Sequence, residues 1–295
     1  MTDPAVLSVA CAVVAALLFA IASVAQQREA ASAAAASGEA NLLRTLIRSP
    51  RWWAGLAGDG GGYLFQAAAL AFGSVLVVQP LLTASLLFAL PLSAWFARTP
   101  VGRTAWLLAG TLAVALAVFL VVGDPTEQQR DPGFPQWAPA LAVVGVVVVA
   151  ACAAGLAPLA PRVRALGFGV ACGTLYGVAA ALTKHVVDQF EHGVFSALTG
   201  WQTWLLVGCG AAGVYLQQRA FAAGPLTASL PALTIAEPLA AVFLGVTVLG
   251  EHLHTGTAGT VVVAIAIVVM IVATVALSRA RAEVSVGTPP AAPVS

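Results

Sequence analysis

Nine mostly apolar stretches follow one another along the chain, at 4–26, 51–72, 74–97, 103–122, 137–157, 162–188, 200–222, 226–249 and 256–278. Each is long enough to cross a hydrocarbon layer as a helix, which takes about 20 residues. Short polar segments separate them. The pattern predicts an all-α membrane protein of nine spans. The second stretch carries Asp59 among Gly58, Gly60, Gly61 and Gly62, a run that favours an interrupted helix.

The few polar residues inside the spans repeat. Residues 62–83 return 151 positions later as residues 213–234, pairing Gly62 with Gly213, Gln66 with Gln217, Gly73 with Gly224, Pro80 with Pro231 and Thr83 with Thr234. Spans two and three therefore match spans seven and eight, five helices on, so the two copies cross the membrane in opposite directions. Leu18 to Ala22 matches Leu175 to Ala179 more weakly, and span four pairs with span nine through Gly110 and Gly259. The expected layout is an inverted 4 + 1 + 4 repeat: residues 1–122 with a cytoplasmic connector at 27–50, then the outer loop and connector span at 123–161, then the second repeat at 162–278. The remainder, 279–295, is expected to be a disordered cytoplasmic tail. Inverted repeats are the usual build of secondary transporters.

Composition agrees with the pattern. The chain is 60% apolar and 8% charged, with mean hydropathy +0.95, against about 25% charged residues in soluble domains. Of 13 Lys and Arg, all but Arg130 and Lys184 lie at ends that follow odd-numbered spans. The positive-inside rule then places the C-terminus in the cytoplasm and the N-terminus outside, in the inner cell membrane. The loop from Gly123 to Gln136 faces outward. No Lys or Arg precedes the first apolar run, so it is read as a span and not as a cleaved signal. The four cysteines, at 11, 152, 172 and 209, all fall inside spans as small packing residues.

Candidate chemistry sits inside the bundle. Glu237 lies near the centre of span eight, where a charge costs at least about 2.5–3.5 kcal/mol; it is a proton or cation site, or a protonated acid bonded to a neighbouring helix. Asp59 is the second candidate. Together the two carboxylates would suit a hydrated divalent cation or an organic cation. Tyr63, Gln66, Gln217 and Gln218 are pathway candidates, the amides serving equally as interhelical bridges. Pro80, Pro231 and Pro238 are candidate kinks, with Thr83 and Thr234 placed to re-satisfy freed carbonyls. Lys184 and His185 approach the outer end of span six, either solvated or as an outer gate. Glu251, His252 and His254 are a compact group that would need a loop to converge on a metal.

Arg51 to Leu56, Gln79-Pro80-Leu81 with Ser85, Pro161-Arg162, and Cys172 with Lys184 resemble the NIPA branch of the drug/metabolite transporter superfamily. Ala236-Glu237-Pro238 and Gly250-Glu251 look like that superfamily's general metabolite exporters. The resemblance implies a nine-span bundle with its N-terminus outside, transporting magnesium or another divalent cation.

No HExxH, P-loop or dinucleotide fingerprint occurs, so the chain is read as a transporter and not as an enzyme, driven by a gradient and without a cofactor. The expected partners are membrane lipid and a small solute or divalent cation, with no nucleic acid. The alternative is a non-transporting scaffold or lipid-handling subunit. Oligomeric state is open.

Overall fold

The computed structural model describes residues 4–97, 100–126, 132–190 and 193–286, and these are almost wholly helical. Helix α1 (Pro4–Ile47) crosses the first apolar stretch and continues through most of the connector expected at 27–50, ending at Ile47. Ser49 then caps α2 (Pro50–Phe72), accepting from the Trp52 N–H at 3.3 Å, and Pro50 opens the helix where its missing N–H is harmless. The glycine run at 58–62 stays helical. The break comes instead at Gly73, where Ser74 caps the next helix.

The third stretch is two helices, α3 (Val75–Thr83) and α4 (Ser85–Ala97), joined at Ala84. Then come α5 (Arg103–Gly123), strand β1 (Pro125–Thr126), α6 (Phe134–Leu156), α7 (Pro161–Phe190), the short α8 (Val194–Thr199) and α9 (Trp201–Ala223). Helix α10 (Leu226–Leu244) runs on as a π-helical turn, Gly245–Leu249. Strand β2 (His252–Leu253) and helix α11 (Thr257–Val286) complete the described chain.

Among the described residues, seven segments are long and apolar enough to span a membrane: Pro4–Gln26, Val75–Phe96, Arg103–Gly123, Phe134–Leu156, Pro161–Phe190, Leu226–Leu249 and Thr257–Ala280. The protein is a multi-pass, all-α membrane protein. Helices α2 and α9 are 23 residues each but less apolar, because α2 carries Arg51, Asp59 and Gln66, and α9 carries Gln202, Gln217, Gln218 and Arg219. Large apolar side chains point outward from α5 at Leu107, Val114 and Val121, and from α11 at Val261, Ile265, Val268 and Val272. Such a surface belongs in hydrocarbon.

Close helix contacts rest on small residues, as expected where lipid tails remove the hydrophobic drive between helices. Gly169, Gly173 and Gly177 make one ridge of α7 against α10. A Cβ added at these positions would stand 2.8 Å from Ser229 O, 2.4 Å from Leu233 O and 2.4 Å from Glu237 O. In α1 the buried Ala12, Ala16 and Ala20 form a ridge of the same spacing. Gly62 of α2 rests on the Phe19 ring of α1, and Gly213 of α9 rests on the Tyr176 ring of α7, at 2.8 Å and 2.4 Å for an added Cβ.

Contacts at the Gly73 end hold several elements together. Ser8 Oγ donates to Ala69 O at 2.9 Å, and β1 pairs antiparallel with β2 in the register Pro125 to Leu253. Asp124, in the left-handed region at φ 40°, accepts from the His254 N–H at 3.2 Å. Helices α1, α3 and α11 start at this end, whereas α2, α5, α7 and α10 finish at it. Of the loop expected to face outward, Glu127, Arg130 and Asp131 lie outside the described residues; of the tail expected to be disordered at 279–295, residues 279–286 instead continue α11, and 287–295 lie outside the described residues.

Candidate functional site

Glu237 is half-buried at mid-length in α10, close enough to Tyr63, Cys172 and Tyr176 to act on them electrostatically. Asp59, half-buried in α2, is within electrostatic reach of Tyr176 as well. Both carboxylates thus act on Tyr176 through space. Its hydroxyl donates to Gln217 Oε1 at 3.2 Å, and Gln26 Nε2 donates to Asp59 Oδ2. Thr183 commits its hydrogen to Ala179 O at 2.7 Å, so at 2.6 Å the Tyr63 hydroxyl is the donor to Thr183 Oγ1. Helices α2, α7, α9 and α10 all contribute. Cys172 Sγ donates to Gly213 O at 3.2 Å, a packing role for that thiol.

The surroundings of Glu237 are open. From Ala232 to Leu239 no residue of α10 is buried, although Ala228 to Pro231 before it and Ala240 and Ala241 after it are. Gln66 is buried in α2, and Gln218 is half-buried in α9. Gln79, one residue before Pro80, is a further buried polar residue: it is 1% exposed, and among the described residues its Nε2 has no hydrogen-bond partner.

The proline expectations change. Helix α10 runs through Pro231 and Pro238 without interruption, whereas the first copy breaks at Ala84, after Pro80. The matched threonines do not reach the carbonyls the prolines free, four residues before each. Thr83 Oγ1 donates to Pro80 O at 2.6 Å and Thr234 Oγ1 to Leu230 O at 2.8 Å, each being the nearest carbonyl in its own turn.

Lys184 and His185 are buried rather than solvated. Lys184 Nζ donates to Leu70 O at 2.9 Å in the last turn of α2, and Asp188 lies 3.6 Å away. A cation suits a helix C-terminus, where carbonyls lack helical donors. His185 Nε2 lies 3.1 Å from the amide nitrogens of both Gln189 and Gln202, with Trp137 packed edge-on.

Glu251 is the residue whose role sequence pattern missed. Its carboxylate accepts from the Val75 N–H at 2.7 Å and the Leu76 N–H at 2.9 Å, capping α3 from 175 residues away. It is 3% exposed, whereas His252 and His254 are exposed with ring centres 5.0 Å apart. Among the described residues no group of three His, Cys, Asp or Glu is placed to hold a metal. An acid just after a span, in a chain with a helix start at Ser74 that has no acidic residue in its first turn, is the signal available in sequence.

Comparison with known proteins places the chain. It is 41% identical over 215 residues to an uncharacterized protein of Corynebacterium glutamicum, covering 71% of this chain and 72% of that one. The chain belongs to that protein's family. No known family profile matches it, and no solved structure does.

Proposed function

We propose that this protein is a secondary transporter of the drug/metabolite transporter superfamily, NIPA-like, that moves a divalent cation such as magnesium or a small cationic metabolite by alternating access. The observation that carries this reading is Tyr176, held by Gln217 and within electrostatic reach of both Asp59 and Glu237. Four helices contribute polar side chains to the interior of an apolar bundle, where ionisable groups ordinarily mark an ion or substrate path.

The nine-span, inverted 4 + 1 + 4 arrangement is part of the proposal. It is supported by Gly62 on Phe19 and Gly213 on Tyr176, by the parallel of Ala12, Ala16 and Ala20 with Gly169, Gly173 and Gly177, and by the opposite directions of α1 and α7. The carboxylates break that symmetry: Glu237 corresponds to Leu86, and Asp59 to Gly210. Two acids with neutral hydroxyl and amide oxygens favour a cation that keeps part of its hydration over one stripped of water. The closed Gly73 end is read as the outside, which leaves the cytoplasmic end to open.

Purified protein in proteoliposomes tests this. Uptake of Mg²⁺ or of a member of a cationic metabolite panel, lost in Glu237→Gln and reduced in Asp59→Asn, is the expected result. Uptake indifferent to both substitutions would sink the site. Absence of uptake for every solute would favour a scaffold or lipid-handling subunit.

A further inference from the structure

Residues two apart point about 200° apart around a helix but share one face of a strand. His252 and His254 have that spacing, and the structure puts them on a strand. Gly250, in the left-handed region at φ 73°, turns the chain out of the π-helical turn, and β2 then pairs with β1 in the register His252 to Thr126. The His254 N–H extends the ladder by donating to Asp124 O at 3.2 Å. Burial alternates accordingly. Glu251 faces inward onto the Val75 and Leu76 amides and Leu253 is half-buried, while His252 and His254 are both exposed.

The two imidazoles therefore leave the ribbon together, with ring centres 5.0 Å apart and planes inclined at 49°. Two imidazoles bound to one metal, each nitrogen at about 2.0–2.1 Å, have ring centres about 4.5–5.3 Å apart at coordination angles of about 90–110°. Chelation thus asks only for rotation about side-chain bonds. His252 Nδ1 lies 3.1 Å from Gly250 O, and a carbonyl can only accept, so Nδ1 carries the hydrogen and the lone pair of the neutral ring is on Nε2. A backbone carbonyl that fixes the tautomer and orients the ring in this way is the usual companion of a metal-binding histidine. On the inner face, Glu251 bound to the start of α3 and Leu253 beside Gly123 anchor the strand that presents the pair.

We propose that His252 and His254 form a two-imidazole chelate for a divalent d-block cation, Cu²⁺, Ni²⁺ or Zn²⁺, on the surface at the Gly73 end of the bundle. Imidazole nitrogen selects these ions, Cu²⁺ most strongly, whereas Mg²⁺ takes oxygen ligands. With two protein ligands, water fills the remaining positions, so the site is an open one. It is separate from Asp59 and Glu237, whose oxygens suit a different class of ion, and it stands independently of the transporter reading.

The test is titration of Zn²⁺ and of Cu²⁺ into the purified full chain in detergent, made with an affinity tag that contains no histidine. Calorimetry should give one Zn²⁺ site per chain, and the Cu²⁺ form should show the electron paramagnetic resonance hyperfine pattern of two equatorial nitrogens. Either His252→Ala or His254→Ala should weaken Zn²⁺ binding by about tenfold or more and reduce the pattern to one nitrogen, while a large excess of Mg²⁺ leaves binding unchanged. Both side chains are exposed, so the variants should melt with the parent. Zn²⁺ bound equally well by the double variant overturns the inference, and so does displacement by Mg²⁺ or a parent chain that binds no more than the detergent blank. Binding is read without transport. Loss of this site would therefore leave the transporter reading standing, and loss of all solute uptake would leave this site standing.

Discussion

Gly177 lies against the backbone of Glu237, so close that an added Cβ would stand 2.4 Å from the Glu237 carbonyl oxygen. The helix that carries the central carboxylate is therefore positioned by a residue with no side chain. Gly177→Ala is expected to force α7 and α10 apart and to cost about 1–3 kcal/mol, the usual range for overpacking. Thermal melting in detergent measures this, with Gly208→Ala, which has open space around it, as the neutral comparison. Equal melting temperatures would mean that the two helices do not bear on one another here.

The two glycine-on-ring contacts make a paired prediction. Gly62→Ala and Gly213→Ala should both destabilise, because neither ring can yield without leaving its helix interface. Phe19→Leu should restore part of the loss in Gly62→Ala. A double-mutant cycle reads the coupling, expected at about 0.5–3 kcal/mol for residues in contact; a value near zero would remove that contact from the list of what holds α1 to α2.

Glu251 and its histidine neighbours should separate cleanly. Glu251→Ala removes two charge-assisted hydrogen bonds to amides at a helix start, each worth about 1.5–3 kcal/mol, and the melting temperature should fall accordingly. His252→Ala and His254→Ala, both exposed, should stay within about 0.5 kcal/mol of the parent. If the histidine variants lost stability and the Glu251 variant did not, the cap would be misassigned.

Gln79 predicts the opposite sign. Its buried Nε2 lacks a hydrogen-bond partner among the described residues, and leaving such a donor unmet costs about 1–3 kcal/mol. Gln79→Leu should hold or raise the melting temperature while lowering solute uptake. A clear drop in melting temperature would show that the amide is structurally engaged.

Much of the architecture was legible in sequence because bilayer thickness fixes span length: each of the apolar stretches is helical, the third as two helices, although α1 and α11 run well past the expected ends of the first and last. The glycine run at 58–62 misled because a helix packed along its length tolerates residues that would break one in water. Of the candidate site, residue types inside spans pointed to Glu237, Asp59, Tyr63 and Gln217, since polar groups in hydrocarbon are costly wherever they occur. Sequence had no means of seeing that Tyr176 bonds to Gln217 and feels both acids, because that depends on how α7 sits against α2, α9 and α10.

Composition and periodicity by themselves determined that this chain lives in a membrane, as helices, with a duplicated stretch and a few intramembrane acids; solvent and helix length dictate those facts locally. Tertiary structure alone decided that Lys184 is buried against Leu70 and not snorkelling, that Glu251 caps α3, and that Gly169, Gly173 and Gly177 of α7 let the backbone of α10 come close. Each of these depends on a partner between 114 and 176 residues away or on the facing of a helix among its neighbours. Hydrogen bonds at helix ends and cavities between helices are made by packing, and packing has no period along the chain.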